Sequence, residues 1–282
     1  MEYQVKLIGG IAVAVILLLA AIVVGYKLYQ NRQKEDEPVL KEPPADSDVN
    51  ILFLHHSTGR NIWEGGVKDG IERYNGDNGK SYSIIEQNFP KRSEYGWNNY
   101  PYDYWNIWVN HQGSEPYLKE PTLEMITDLY DVVVFKHCYP VSHVEPDTGD
   151  PDITSSVKSS ENFKLQYDAL KEKMHQFPDS NFILWTGAAL VQAHTNEEEA
   201  KRASDFFDWV RNEWDEKGDN IFIWDFHELE TEGGLYLTED NAVSSTNSHP
   251  NKEFSKTAAP LLSKRIIDVI EGRGDEGSLT GE

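Results

Sequence analysis

A serine at the end of an apolar run and a histidine near the end of the chain carry the chemistry. Ser57 lies in Ile51-Leu52-Phe53-Leu54-His55-His56-Ser57-Thr58-Gly59, and His249 lies in Asn247-Ser248-His249-Pro250-Asn251. A serine hydroxyl is a poor nucleophile until a base takes its proton during attack. Histidine is the usual base, because its reference pKa of about 6.5 leaves it neutral at physiological pH. If the fold brings them together, Ser57 is the nucleophile and His249 its general base. The competing reading makes Ser57 a helix cap and His249 a helix-entry residue with no catalytic task.

The elements needed to position such a pair follow from the apolar pattern. Strands are expected at Ile51–Leu54, Tyr82–Gln87, Asp131–Phe135, Asn181–Trp185 and Asn220–Trp224. Helices are expected at Leu123–Leu129, Ser160–Phe177, Glu197–Glu216 and Lys252–Ile270, the last kinked or divided at Pro260. Continuously apolar strands alternating with helices predict a three-layer α/β/α fold with a mainly parallel sheet. Sites in such sheets gather beyond the carboxyl ends of the strands, where Ser57, His137 and Gly187 fall.

In its motifs and their order the chain resembles the SGNH/GDSL-like serine hydrolases. Ser248-His249-Pro250-Asn251 is similar to that family's histidine block, and His-His-Ser-Thr-Gly stands where Gly-Asp-Ser is usual. Asp131–Pro140 falls at the block after the central strand, and Glu94-Tyr95-Gly96-Trp97-Asn98 resembles the glycine block. The resemblance implies an esterase or O-acyltransferase with Ser57 and His249 as catalytic residues. It implies Gly96 as an oxyanion donor beside the Ser57 N–H. Two family positions are not matched. Thr246 stands three residues before His249, where the family has an aspartate, so either Asn247, Asp225 or Asp240 orients the imidazole or the pair works as a dyad without an acid. No asparagine follows the middle strand, which leaves His137 or a nearby backbone N–H as a substitute oxyanion donor.

The segment Tyr95–Val109 is crowded with aromatics, among them Trp97, Tyr104, Trp105 and Trp108. Flat rings interleaved with Asn and Asp suit a sugar face, with Trp97 and Trp105 binding an acylated carbohydrate; the competing reading is a lid or loop whose aromatics simply pack on the domain. The alternative is a non-catalytic glycan-binding ectodomain on a degenerate hydrolase fold. A third reading gathers His55, His56, His137, Cys138, His143 and His249 into a metal site, but none of them has the H-E-x-x-H spacing. Neither a metal nor another cofactor is called for.

The chain has 282 residues and a formal net charge of -22, from 48 acidic and 26 basic residues. Such a surface disfavours nucleic acid as a partner. With one cysteine, Cys138, no intramolecular disulfide can form. Leu7–Tyr26 is an uncharged apolar run, long enough for a bilayer core of about 30 Å. It is expected to be a single-pass anchor, with a polar stalk at residues 27–48, a hydrolase-like domain at 49–271 and a disordered tail at 272–282. The expected location is the cell membrane, with the domain on the extracytoplasmic side.

Overall fold

A computed structural model describes residues 38–91, 94–96 and 98–282. The expected membrane span at 7–26 and most of the stalk lie outside the described residues. Among the described residues no helix is long and apolar enough to cross a membrane.

Five strands form one parallel sheet: β1 (Val49–His55), β2 (Tyr82–Asn88), β3 (Val132–Lys136), β4 (Asn181–Trp185) and β5 (Ile221–Trp224). Their spatial order is β2-β1-β3-β4-β5. The chain therefore reverses its direction of winding between β1 and β3, and a crevice is expected at the carboxyl ends of those two strands. Ser57 follows β1, and Lys136 ends β3.

Side-chain alternation along each strand feeds two cores. Leu52, Leu54, Val133, Phe135, Leu184 and Ile223 face one layer. That layer contains α3 (Pro101–Trp105), a π-helical turn (Asn106–Asn110), α5 (Ser160–Met174) and α6 (Glu197–Trp209). Ile51, Phe53, Val134, Ile183 and Trp185 face the other, where α1 (Thr58–Glu64), α2 (Val67–Asn78) and α8 (Lys252–Ile270) pack together. Two short helices, α4 (Leu123–Thr127) and α7 (Phe226–Thr231), complete the set. The expected three-layer α/β architecture is thus present.

α8 runs unbroken through Pro260. Pro260 and Lys256, whose carbonyl loses its helical partner there, both face solvent, so water can satisfy the freed carbonyl. The histidine segment also differs from the expected loop. Ala242–Ser244 (β6) and Asn247–Pro250 (β7) pair as an antiparallel hairpin.

Both expected domain edges need correction. Leu40 is buried, Lys41 N–H donates to Gln87 Oε1 at 3.1 Å, and Tyr130 O–H donates to Lys41 O at 2.6 Å. The packed domain therefore begins before Val49. The tail at 272–282 is ordered against it as well. Trp224 Nε1–H donates to Thr280 O at 2.8 Å, Asp225 N–H donates to Leu279 O at 2.8 Å, and Arg265 donates to Gly274 O at 2.5 Å. The glycine and acidic content that reads as disorder is compatible with order because the tail satisfies donors left at the β5 edge.

Candidate active site

Ser57 follows β1 at the position just before α1, where a serine would ordinarily cap the helix. Its side chain makes no capping bond. Ser57 instead has φ 41°, in the left-handed region that a non-glycine residue adopts at a cost. Its hydroxyl hydrogen-bonds His249 Nε2. The competing helix-cap reading of Ser57 therefore does not hold.

The tightness of this turn explains Gly59. A Cβ there would lie 2.4 Å from His55 Cβ and 2.9 Å from Lys136 Cδ. Only glycine lets the first turn of α1 sit this close to the ends of β1 and β3. His55 is held by Glu86 at 2.7 Å, and His56 bonds Pro90 O. Both histidines beside Ser57 therefore brace the turn.

His249 lies on β7. Asn61 of α1 donates to Pro250 O at 3.2 Å, tying the helix after Ser57 to the histidine's strand. Asn251 caps α8 through Phe254 N–H at 2.9 Å and donates to Asp240 O at 2.6 Å. Asp240 thus supports the hairpin through its backbone.

Asn247 orients the imidazole. Its Oδ1 lies 3.1 Å from the His249 backbone N–H and 2.8 Å from His249 Nδ1. A backbone N–H can only donate, so the atom facing it is the amide oxygen. The same oxygen must then accept from Nδ1–H, which leaves Nε2 unprotonated and able to receive the Ser57 proton. Burial and the Lys136 charge lower the His249 pKa from its ordinary value. Both effects disfavour the imidazolium form of His249.

Asp225 does not join this group. Its carboxylate accepts from Thr186 Oγ1 at 2.7 Å and from Arg211 at 3.0 and 3.2 Å, and it caps α7. A neighbouring arginine claims the charge that was expected to serve the histidine.

His137 is 1% exposed and packs edge-on against Tyr104 at 4.7 Å, with Tyr167 at 5.6 Å. Burial depresses its pKa far below the ordinary value. A ring enclosed in this way cannot reach a substrate oxygen, so its expected oxyanion role is corrected. Gly96 lies in an exposed loop with φ 78°.

The aromatic segment is mostly core. Tyr104 and Trp108 are fully buried, and Trp105 is 6% exposed against Tyr102 at 5.6 Å. Trp105 is therefore a packing residue and offers no sugar platform. Trp97 lies outside the described residues.

Tyr139 is a site residue that sequence reasoning missed. Its O–H donates to Ser248 O at 2.7 Å, and its ring meets His249 edge-on at 5.5 Å. Ser248 Oγ accepts from Val191 N–H at 3.1 Å and bonds His194 Nδ1 at 3.0 Å. The signal available in the sequence was Tyr139's place just past β3, beside Pro140. A cavity of about 410 Å³ lies against this face, lined by Tyr139, His143, Leu190, His194, Asn247 and His249. A second, of about 580 Å³, is lined by Gln192, Tyr236, Glu239 and Thr246 among others, and Thr246 borders both.

The histidines proposed for a metal site have separate engagements. His143 pairs with Glu199 at 2.9 Å, His55 with Glu86, and His249 with Ser57 and Asn247. Among the described residues no group of three or more His, Cys, Asp or Glu side chains is arranged to hold a metal ion.

No protein-family model and no curated protein matches the chain. Among solved structures it is similar to the lipase Lip_vut3 from a goat rumen metagenome. The identity is 13%, with a TM-score of 0.46, covering 78% of this chain and 97% of that one. It is also similar to BT4096, a gut microbial diltiazem-metabolizing enzyme, at 9% identity and a TM-score of 0.44 over 86% of this chain. The match spans 49% of that second protein. Likenesses this distant assign no activity to the chain.

Proposed function

We propose that the protein is a serine ester hydrolase of SGNH-like type, tethered to a membrane through residues 7–26 with its domain outside the cytoplasm. The observation that carries the catalytic reading is the hydrogen bond from the Ser57 hydroxyl to the unprotonated Nε2 of His249. Two residues 192 positions apart meet in this bond, and the tautomer is the one a general base requires.

In the proposed reaction Ser57 Oγ attacks the ester carbonyl while His249 Nε2 takes the hydroxyl proton. The carbonyl π electrons move onto oxygen, and the Ser57 N–H, with a second donor from the Gly96 loop, stabilises that charge. Collapse breaks the bond to the alcohol, which leaves with the proton from His249. Water then attacks the acyl-serine, giving its proton to His249. The acid departs and Ser57 is restored.

The substrate class proposed is a short acyl ester of a polar alcohol such as a sugar. The cavity beside His249 is bordered by Tyr139, His143, His194 and Thr246, with Leu190 its aliphatic member. The rings of Tyr139, His143 and His194 beside Leu190 give the acyl group an apolar wall, while Thr246 and Asn247 bring polar groups to the same cavity. The adjoining cavity with Gln192, Tyr236 and Glu239 offers room and polar partners for the sugar. The glycan-binding alternative loses one of its two named platforms with the burial of Trp105.

The test is hydrolysis by the full-length protein in detergent. Acetylated monosaccharides and p-nitrophenyl acetate should be turned over faster than p-nitrophenyl palmitate. A preference for the palmitate would overturn the substrate class. No turnover of any ester would overturn the hydrolase reading.

A further inference from the structure

Lys136 is fully buried at the end of β3, on the face of the sheet that carries α1 and α8. Charged side chains are rarely buried unless paired, because desolvation penalises the charge heavily. The Lys136 stem passes under the nucleophile turn, so close that a Cβ on Gly59 would sit 2.9 Å from its Cδ. Its Nζ lies 3.6 Å from Cys138 Sγ and 5.6 Å from the centre of the Trp185 ring.

Glu230 of α7 is also fully buried and interacts electrostatically with Lys136. Its Oε1 accepts from Ala189 N–H at 2.6 Å, while its Oε2 has no hydrogen-bond partner. A Cβ on Gly187 would meet that Oε1 at 2.5 Å, so the loop after β4 closes directly over the carboxylate. This loop also supplies the Val191 N–H that holds Ser248, the neighbour of His249.

Building on the serine-hydrolase reading, we infer that Lys136 is a positioning residue for the catalytic pair: its stem braces the turn that carries Ser57, and its head is enclosed beneath the site by Cys138 and Trp185. The groups within its electrostatic reach are His55, His137, Cys138, Glu230 and His249. His55 is further held by Glu86 and feels Arg60. Burial lowers the pKa of Lys136 and raises that of Glu230, and each partner's charge opposes the other's shift. Lys136 lowers the His249 pKa beyond what burial does. A cation near an imidazole disfavours a second positive charge, so the base stays free to lower pH.

The experiment is the pH dependence of fluorophosphonate labelling of the full-length protein and its Lys136→Met variant. Methionine keeps the stem and removes the charge. Folding is checked by circular dichroism, and Lys136→Gln replaces the methionine variant if the latter does not fold. The expected result is an acid limb whose midpoint moves up by about half a pH unit or more in the variant. A folded variant with an unmoved midpoint would overturn the role of Lys136 while leaving the serine mechanism intact. A parent midpoint at or above about 6.5 would overturn it without any variant. A folded parent that takes no label would remove the serine reading and this inference with it.

Discussion

One oxygen of Asn247 receives two N–H groups of His249, from the backbone at 3.1 Å and from ring Nδ1 at 2.8 Å. The first contact fixes which end of the amide faces the histidine, and the second fixes the histidine's tautomer. A neutral side chain can therefore do the orienting work of an aspartate. It cannot do the electrostatic work, since an uncharged amide stabilises a developing imidazolium less than a carboxylate does. The charge balance around His249 consequently favours its neutral state.

This leads to a pH prediction. A base whose pKa is lowered is active above that pKa and is lost as pH falls through it. With the His249 pKa below its ordinary value, the acid limb of kcat/KM is expected below about pH 6.5. Asn247→Asp should raise that limb by stabilising the imidazolium. Asn247→Ala should lower kcat by about 10²-fold through lost orientation. An acid limb that stays in place in Asn247→Asp, measured across pH 4 to 9 (roughly the range of the reference His and carboxylate pKa values), would show that the residue does not face the base.

Asp225 and Arg211 predict a stability effect without a catalytic one. The pair is partly buried and also holds Thr186 and the start of α7. Asp225→Ala should cost about 2–3 kcal/mol, because it leaves the guanidinium and the hydroxyl without their acceptor. Thermal melting would show the loss, and the pH profile of esterase activity should be unchanged. A shifted profile would mean that Asp225 couples to His249.

Trp105 should likewise behave as core. Trp105→Ala is expected to cost about 3–5 kcal/mol of stability. Ester KM should hold in whatever fraction of the variant remains folded. A stable variant with a greatly raised KM would instead place this ring in the substrate site.

The C-terminal tail gives a spectroscopic prediction. Removing residues 278–282 deletes the carbonyls that accept from Trp224 Nε1 and Asp225 N. The truncated protein should melt at a lower temperature, and its tryptophan emission should shift to the red as Trp224 meets water. Unchanged melting and emission would count against an ordered tail.

Much of this organisation was legible in the sequence. Ile51–Leu54 and Asp131–Phe135 read as buried parallel strands because both of their faces are covered, and the structure confirms the parallel sheet. Ser57, His249 and Asn247 were named from their order and residue types. Other readings failed where a tertiary partner decided the outcome. Asp225 looked available until Arg211, fourteen residues earlier, claimed it. His137 looked like a site residue by position, but the alternation of β3 sends it to the Phe135 side among Tyr104 and Tyr167. Lys136, one residue earlier, faces the turn that carries Ser57 and Gly59. One step along a strand exchanges a buried packing residue for one beneath the site, and no local composition records which is which.

The most direct test of the central claim is intact-mass analysis of the full-length protein after reaction with a fluorophosphonate probe, beside Ser57→Ala and His249→Ala. The account predicts one adduct per parent chain, located on Ser57. It predicts no adduct on Ser57→Ala and labelling slowed by about 10³-fold or more in His249→Ala. A folded parent that stays unmodified, or an adduct that persists in Ser57→Ala, would contradict it.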